Sequence, residues 1–253
     1  MTPRFADPVA RPSTSAFERA TGLAPRDPKG AHRRSPSWPA RLPAHAYDPS
    51  AAGCVMTVRS DDPLIAGYHR FRNAVWPDQA QRYAELARRR QQPGTAVIAC
   101  SDARIDPQTI FDAEPGDLFV IRNVAGLVPP YAPDGGCHGT SAALEYAVKI
   151  LKVRRIVVLG HAGCDGIHAM IHGPLRNAQD FLGPWMDIAE PVMWPMPEQG
   201  SGEALETAVE AAVLSLSLSN LRTFPWIREG EKSGHLALSA WRFDIGSGEL
   251  RTT

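Results

Sequence analysis

The chain has 253 residues, 43% of them hydrophobic, which is enough for a domain with a sizeable buried core. Its 27 basic residues balance its 27 acidic residues, so it lacks the overall field that draws proteins to nucleic acid or anionic membranes. It also lacks the run of roughly 18 apolar residues that a membrane span needs, and an apolar secretory signal at its start.

The chain contains four cysteines, too few for a disulfide framework at this length. Metal binding or catalysis is the use that this cysteine content favours. We therefore expect a soluble, cytoplasmic protein whose partners include neither nucleic acid nor a membrane.

Residues 1–55 differ from the rest, because their prolines, arginines and serines leave no helical or strand period. Such a segment buries too little apolar surface to offset its loss of conformational entropy, so we predict a disordered tail. A basic stretch at 26–41 that contacts an anionic partner, a transit peptide, and translation from Met56 are the alternatives. The predicted folded domain covers residues 56–253.

The rest of the chain alternates between helical patterns and short apolar runs. In chain order it predicts helices over 62–76 and 78–90, a strand over 95–99, a short helix over 106–112, a strand over 117–121, a helix over 140–151, a strand over 155–159, a helix over 203–221 and a strand over 236–245. Continuous apolar strands between helices are typical of a parallel sheet covered on both faces. We therefore predict an α/β fold with a mostly parallel central sheet flanked by helices.

Candidate metal ligands follow two of these strands. Cys100 comes directly after strand 95–99, and His161 follows strand 155–159 after one glycine. Ligands gather outside the carboxyl ends of parallel strands, and Cys164 lies only three residues beyond His161. Two thiolates and an imidazole suit zinc and leave a fourth position for water. A lone His-x-x-Cys is weak evidence, however, and buried structural cysteines are the alternative.

The loop after Cys100 carries a carboxylate and a guanidinium, Asp102 and Arg104. On an open surface such a pair contributes little. Beside a metal-bound water, Asp102 can accept a hydrogen bond from the water while Arg104 keeps Asp102 ionised and oriented. This pair favours a catalytic metal site over a structural one.

Cys-x-Asp-x-Arg followed by His-x-x-Cys resembles the zinc and catalytic signature of the β-class carbonic anhydrases. Further blocks similar to that family are 106–112, 115–125, 139–147 and 219–225, so the resemblance covers roughly 62–250. It implies that Cys100, His161 and Cys164 hold one Zn²⁺ per chain and that Asp102 and Arg104 form the catalytic dyad. It also implies a carbon dioxide pocket whose residues are Gln91, Phe119, Val124 and Tyr146, with ordinary core packing as the alternative for the last three.

The activity that the resemblance implies is the zinc-dependent reversible hydration of carbon dioxide to bicarbonate and a proton, through attack by zinc-bound hydroxide. Part of the pocket is expected from a neighbouring subunit, which implies a homodimer or a multiple of one. The alternatives are a relative that acts on carbon disulfide or carbonyl sulfide, and a non-catalytic module that binds zinc or bicarbonate. His168 and His172 are candidates for moving the proton, with exposed helix histidines as the alternative.

Two states of the dyad occur in this family. In the closed state the aspartate ligates zinc, and this state goes with a tryptophan near the position that Gln91 holds here. The resemblance therefore implies an open site, with Asp102 bonded to Arg104. Asp165 stands where the family usually has a small residue, and its carboxylate could compete for Arg104 or the metal.

Overall fold

A computed structural model describes residues 62–173, 178, 180–193 and 202–252 of the chain. The predicted tail at 1–55 lies outside these residues and stays a prediction. The described residues form a sheet of five strands: Thr95–Cys100 (β1), Leu118–Asn123 (β2), Arg155–His161 (β3), Ala237–Phe243 (β4) and Leu250–Thr252 (β5). The strand order is β2-β1-β3-β4-β5, with four parallel strands and β5 antiparallel to β4.

Helices flank this sheet. They are Pro63–Arg70 (α1), Trp76–Arg88 (α2), Pro107–Ile110 (α3), Gly139–Glu145 (α4), Asp165–His172 (α5), Leu182–Met186 (α6), Glu190–Met193 (α7), Glu203–Leu221 (α8) and Pro225–Lys232 (α9). Single π turns at Phe71–Val75 and Tyr146–Ile150 follow α1 and α4. No helix in the described part of the chain is long and apolar enough to cross a lipid bilayer.

The central strands are buried on both faces, which confirms the predicted α/β fold. Along β1, Ala96 and Ile98 belong to one hydrophobic core, and Val97 and Ala99 to a second core on the other face. Successive side chains of a strand point to opposite faces, so a continuous apolar run must be covered twice. Burial on both faces explains why the sequence of β1 is continuously apolar and does not alternate between apolar and polar residues.

The order of the strands creates a crevice above β1. The chain leaves β1 to form β2 on one side, and then returns to form β3 on the other. Ligands of open parallel sheets bind at the carboxyl ends of the strands where the order reverses in this way. Cys100 ends β1 and His161 ends β3, so both lie at this switch point.

The structure also differs from the predicted elements. Residues 63–88 are helical almost throughout, joined by a π turn, and none of them is buried. Asp62 caps α1 as predicted, its carboxylate accepting a hydrogen bond from the Leu64 amide at 2.7 Å. The sequence did not predict α6, α7, α9 or β5, most of which are short, and it gave no bounds for the helix that carries His168 and His172, α5. Short elements of this kind depend on tertiary contacts more than on their own periodicity.

Candidate metal centre

Three potential metal ligands converge at the carboxyl ends of β1 and β3. The Sγ atoms of Cys100 and Cys164 and a ring nitrogen of His161 all lie within 4.8 Å of one another. The three residues are 5%, 3% and 1% exposed, respectively. The two sulfurs are 3.8 Å apart, which is far too long for a disulfide. Two thiolates at ~2.3 Å from a tetrahedral zinc ion would be about 3.8 Å apart, so the spacing fits that ion.

His161 presents a free nitrogen to this group. Its Nδ1 lies 3.0 Å from the Ala162 carbonyl oxygen and donates to it; in the neutral imidazole this leaves the lone pair on Nε2. Nε2 is buried and has no hydrogen-bond partner among the described residues. An orphaned buried nitrogen is costly unless something fills its place, and a backbone bond to the other ring nitrogen is common in metal-binding histidines. The imidazole therefore fits a metal ligand.

The two thiols compete for one negative charge. The hydrogen bond from Cys164 lowers the pKa of Cys100 to about 4. The same bond, together with burial, raises the pKa of Cys164. The two pKa shifts run in opposite directions, so one thiol ionises far more readily than the other. A dication between the sulfurs removes this competition, because each thiolate then faces a positive charge.

Asp102 and Arg104 form a bidentate pair beside these ligands. The Arg104 Nε donates to Asp102 Oδ1 at 2.9 Å, its Nη2 donates to Oδ2, and its backbone amide donates to Oδ1 at 2.8 Å. Asp102 Oδ2 lies 3.8 Å from His161 Nε2. The hydrogen bonds from Arg104 hold the pKa of Asp102 well below its usual range, so the carboxylate is ionised at neutral pH.

The turn that carries Cys164 is held from two sides. Gly163 has a φ of 62°, a left-handed conformation that redirects the chain between the two ligands of this turn. Its carbonyl accepts from Arg104 Nη2 at 2.9 Å, and its amide donates to Glu210 Oε1 on α8 at 2.8 Å. Glu210 is 2% exposed, and its other oxygen accepts from Arg242 Nε at 2.7 Å.

The loop after Cys100 is fixed by Arg122 on β2. Its guanidinium donates to the carbonyl oxygens of Cys100, Asp102 and Ile105, at 2.9, 2.7 and 2.6 Å. Sequence reasoning missed Arg122, Glu210 and Arg242. An arginine within an otherwise apolar strand was the available signal for Arg122, whereas Glu210 resembles any glutamate on a solvated helix.

The predicted pocket residues fall into two groups. Val124 directly follows Asn123, the last residue of β2, which is in register with Cys100. Val124 therefore lies at the end of the sheet where the metal ligands converge. Phe119 lies near the amino end of β2, with its ring centroid 6.1 Å from that of Tyr146. Gln91 precedes β1, and together with Tyr146 it lines a surface cavity of about 700 Å³.

Strand β1 separates Gln91 from the Cys100 of the same chain. Its six residues span roughly 16 Å, at about 3.3 Å per residue. The structure thus brings together the predicted metal ligands, the dyad and Val124, whereas Gln91, Phe119 and Tyr146 lie toward the amino ends of the strands.

A larger cavity of about 900 Å³ opens at the carboxyl end of β2, with the residue after Cys100 in its lining. Its lining includes Ser101, Asn123, Val124 and Trp185. The Trp185 indole donates to the Val124 carbonyl oxygen at 2.9 Å, which joins α6 to the end of β2. The cavity is mostly apolar, as a site for a non-polar substrate requires.

Comparisons with known proteins agree with this geometry. A family model described as carbonic anhydrase matches residues 95–250. The chain is 37% identical over 195 residues to a carbonic anhydrase of Pseudomonas aeruginosa, covering 74% of this chain and 84% of that protein. It is 31% identical over 191 residues to a carbonic anhydrase of Synechococcus elongatus, covering 74% and 69%.

Solved structures show the same fold. The β-carbonic anhydrase CcaA superposes with a TM-score of 0.67 at 31% identity, covering 75% of this chain and 85% of that chain. A β-carbonic anhydrase from Sordaria macrospora, described as tetrameric, gives a TM-score of 0.59 at 29% identity, covering 74% and 90%. Because sequence and fold agree over most of its length, the chain belongs to the β class of the carbonic anhydrases and is an enzyme of that family.

Proposed function

We propose that Cys100, His161 and Cys164 hold a zinc ion and that this centre carries out the reversible hydration of carbon dioxide. The observation that carries the proposal is the buried, unpartnered Nε2 of His161 beside two sulfurs at the spacing of a tetrahedral zinc site. Zinc bound there would supply a water acidic enough to act as hydroxide near neutral pH. Membership of the carbonic anhydrase family points to carbon dioxide and bicarbonate as the substrate pair.

Asp102 and Arg104 orient the nucleophile in this proposal. An ionised Asp102 accepts a hydrogen bond from the attacking water and so aims an oxygen lone pair at the substrate carbon. Both Asp102 oxygens are bonded to Arg104, which favours an open site in which Asp102 is not a metal ligand. Asp165 Oδ1 is 3.5 Å from Arg104, but its side chain is 90% exposed, so it competes only weakly.

The substrate pocket is shared between two subunits in this proposal. Gln91, Phe119 and Tyr146 lie too far along the sheet to reach the metal ligands of their own chain, but they can face those of a second copy. The helical segment 63–88 buries none of its residues, as expected of a segment that packs against a partner. We therefore propose a homodimer or a multiple of one, which the tetrameric description of the Sordaria macrospora relative supports.

The test combines metal analysis with stopped-flow carbon dioxide hydration on purified full-length protein. We expect about one zinc per chain and loss of hydration on treatment with a chelator. Cys100→Ser should lose both zinc and activity, because one of three ligands is removed. Cys137→Ser changes an exposed cysteine that is not one of the three ligands, and it serves as the matched control for zinc content, which it should keep.

Two results would contradict the proposal in different ways. Full zinc occupancy in Cys100→Ser would overturn the ligand assignment. Zinc-loaded protein that does not hydrate carbon dioxide would instead overturn the activity.

A further inference from the structure

A second cluster of metal-type ligands lies outside the catalytic centre, between α5 and α8. His168 and His172 are four residues apart on α5, so they share one face of that helix. Glu206 on α8 faces both, with its Oε1 2.8 Å from His168 Nδ1 and 3.2 Å from His172 Nε2. The proposed mechanism uses none of these three side chains.

The geometry of this cluster is close to that of a metal tripod. Its three ligand atoms lie within 4.8 Å of one another, and the two imidazole centroids are 4.5 Å apart. Nitrogen and oxygen ligands at ~2.0–2.1 Å from a tetrahedral ion are about 3.3 Å from one another. The two contacts to Glu206, 2.8 and 3.2 Å, are each within about half an ångström of that spacing, and the two imidazole nitrogens lie within 4.8 Å of each other.

The donor set selects a class of metal. Two imidazoles and a carboxylate suit Zn²⁺, Cu²⁺, Ni²⁺ and Co²⁺, whereas Mg²⁺ and Ca²⁺ prefer oxygen ligands alone. The side chains of His168, His172 and Glu206 are 60%, 41% and 22% exposed, which leaves room for water at the remaining coordination positions.

We propose that His168, His172 and Glu206 form a second metal site that binds Zn²⁺ or another late first-row divalent ion at the surface between α5 and α8. An ion there ties together the two helices that position Cys164. Helix α5 begins at Asp165, the residue after Cys164, and α8 carries Glu210, which accepts from the Gly163 amide. An ion at this site would therefore stabilise the turn that carries Gly163 and Cys164.

The test uses full-length protein that already holds one zinc per chain. The protein also carries the Cys137→Ser substitution, which removes the exposed thiol in the described part of the chain. Added Co²⁺ should give visible d–d bands without a new thiolate-to-cobalt charge-transfer band, because the second site has no sulfur ligand. Metal analysis after equilibrium dialysis against free Zn²⁺ should show a second equivalent per chain. Added Zn²⁺ should also raise the melting temperature of the zinc-loaded protein.

Variants distinguish a specific metal site from nonspecific binding of metal at the protein surface. His172→Ala and Glu206→Gln should each weaken binding of the second equivalent by more than about tenfold and abolish the shift in melting temperature, with the first zinc retained. His235→Ala, which changes an exposed histidine bonded to Ser233, should leave both metal equivalents unchanged. Absence of a second equivalent, or unchanged affinity in His172→Ala, would overturn the proposal.

Discussion

Gly126 lies directly against the strand end that supplies Cys100. It has a φ of 62°, and a Cβ added to it would lie 3.3 Å from the Cys100 amide nitrogen and 3.5 Å from the Ala99 carbonyl carbon. Both neighbours are backbone atoms of a buried strand, which cannot yield as a flexible side chain can. A side chain at this position would therefore press on the backbone that positions Cys100.

We expect Gly126→Ala to destabilise the fold and to weaken zinc binding. Gly248→Ala is the matched control, because Gly248 also has a positive φ, 74°, but nothing lies within 4 Å of its added Cβ. The control should cost about 1–2 kcal/mol, the strain of a left-handed alanine. Gly126→Ala should cost more and should also release zinc more easily, as measured by urea denaturation and chelator competition. Equal losses in the two variants would show that the close approach has no effect.

Asp106 gives the stability a defined pH dependence. Its carboxylate caps α3, accepting from the Thr109 amide at 3.0 Å and from the Thr109 hydroxyl at 2.6 Å. The hydroxyl bond and the backbone bond from Thr109 hold the pKa of Asp106 below its usual range. A lowered folded pKa means that the stabilisation is complete above the unfolded value, ~3.9, and is lost as the pH falls through the folded value.

Removing this cap with Asp106→Ala should cost about 1 kcal/mol of unfolding free energy at pH 7. Asp106→Asn keeps an uncharged acceptor and should recover most of that loss. The difference between the native chain and Asp106→Asn should be constant above about pH 5 and shrink below about pH 4, as followed by urea denaturation at each pH. A difference that grows as the pH falls would contradict this assignment.

Helix α8 supports the metal centre through one buried ion pair. Glu210 joins the Gly163 amide to Arg242 on β4, and the side chains of Glu210 and Arg242 are 2% and 13% exposed. Truncating Glu210 leaves Arg242 with only a distant carboxylate, Asp244 Oδ2 at 3.9 Å, and breaking a buried pair costs about 3–5 kcal/mol. It also frees the turn that aims Cys164 at the metal.

Glu210→Ala should therefore lower both stability and zinc affinity, the latter by about 10–100-fold. Glu203→Ala, an exposed glutamate in the first turn of the same helix, is the control and should change stability by less than about 0.5 kcal/mol. Calorimetry and zinc competition measure the two effects. Zinc affinity equal to that of the control would show that Glu210 is only a structural residue.

The sequence predicts strong elements and motif residues well, and long-range polar contacts poorly. β1 and β3 were predictable because burial on both faces requires continuous apolar runs. The edge strand β5 was not, since its three exposed residues carry no period. Glu210 was missed because its partners, Gly163 and Arg242, lie 47 and 32 positions away along the chain. Only the folded sheet shows that its charge is buried.

At the scale of the whole molecule, the placement of Gln91 separates the proposed substrate contacts from the metal ligands. In a symmetric dimer each complete site would take its ligands and dyad from one chain and Gln91, Phe119 and Tyr146 from the other. Helix α2 is tied to its own sheet by Arg82, whose Nη2 donates to Asp117 at 2.9 Å, so its exposed face remains available to a partner.

Shared active sites allow complementation between two inactive variants, because a dimer made of one chain of each can contain one intact site. Asp102→Asn removes a dyad residue from the active site formed by the metal ligands of the same chain. Gln91→Ala instead removes a substrate contact from the active site of the partner chain. Subunits of the two variants, mixed at equal amounts and allowed to exchange, should form heterodimers in about half of the population, each with one intact site. Hydration should then rise above the mean of the two parents, toward about a quarter of native activity per chain. Mixing Asp102→Asn with Cys100→Ser leaves every site defective and should restore nothing, so an equal response in the two mixtures would place Gln91 in the site of its own chain.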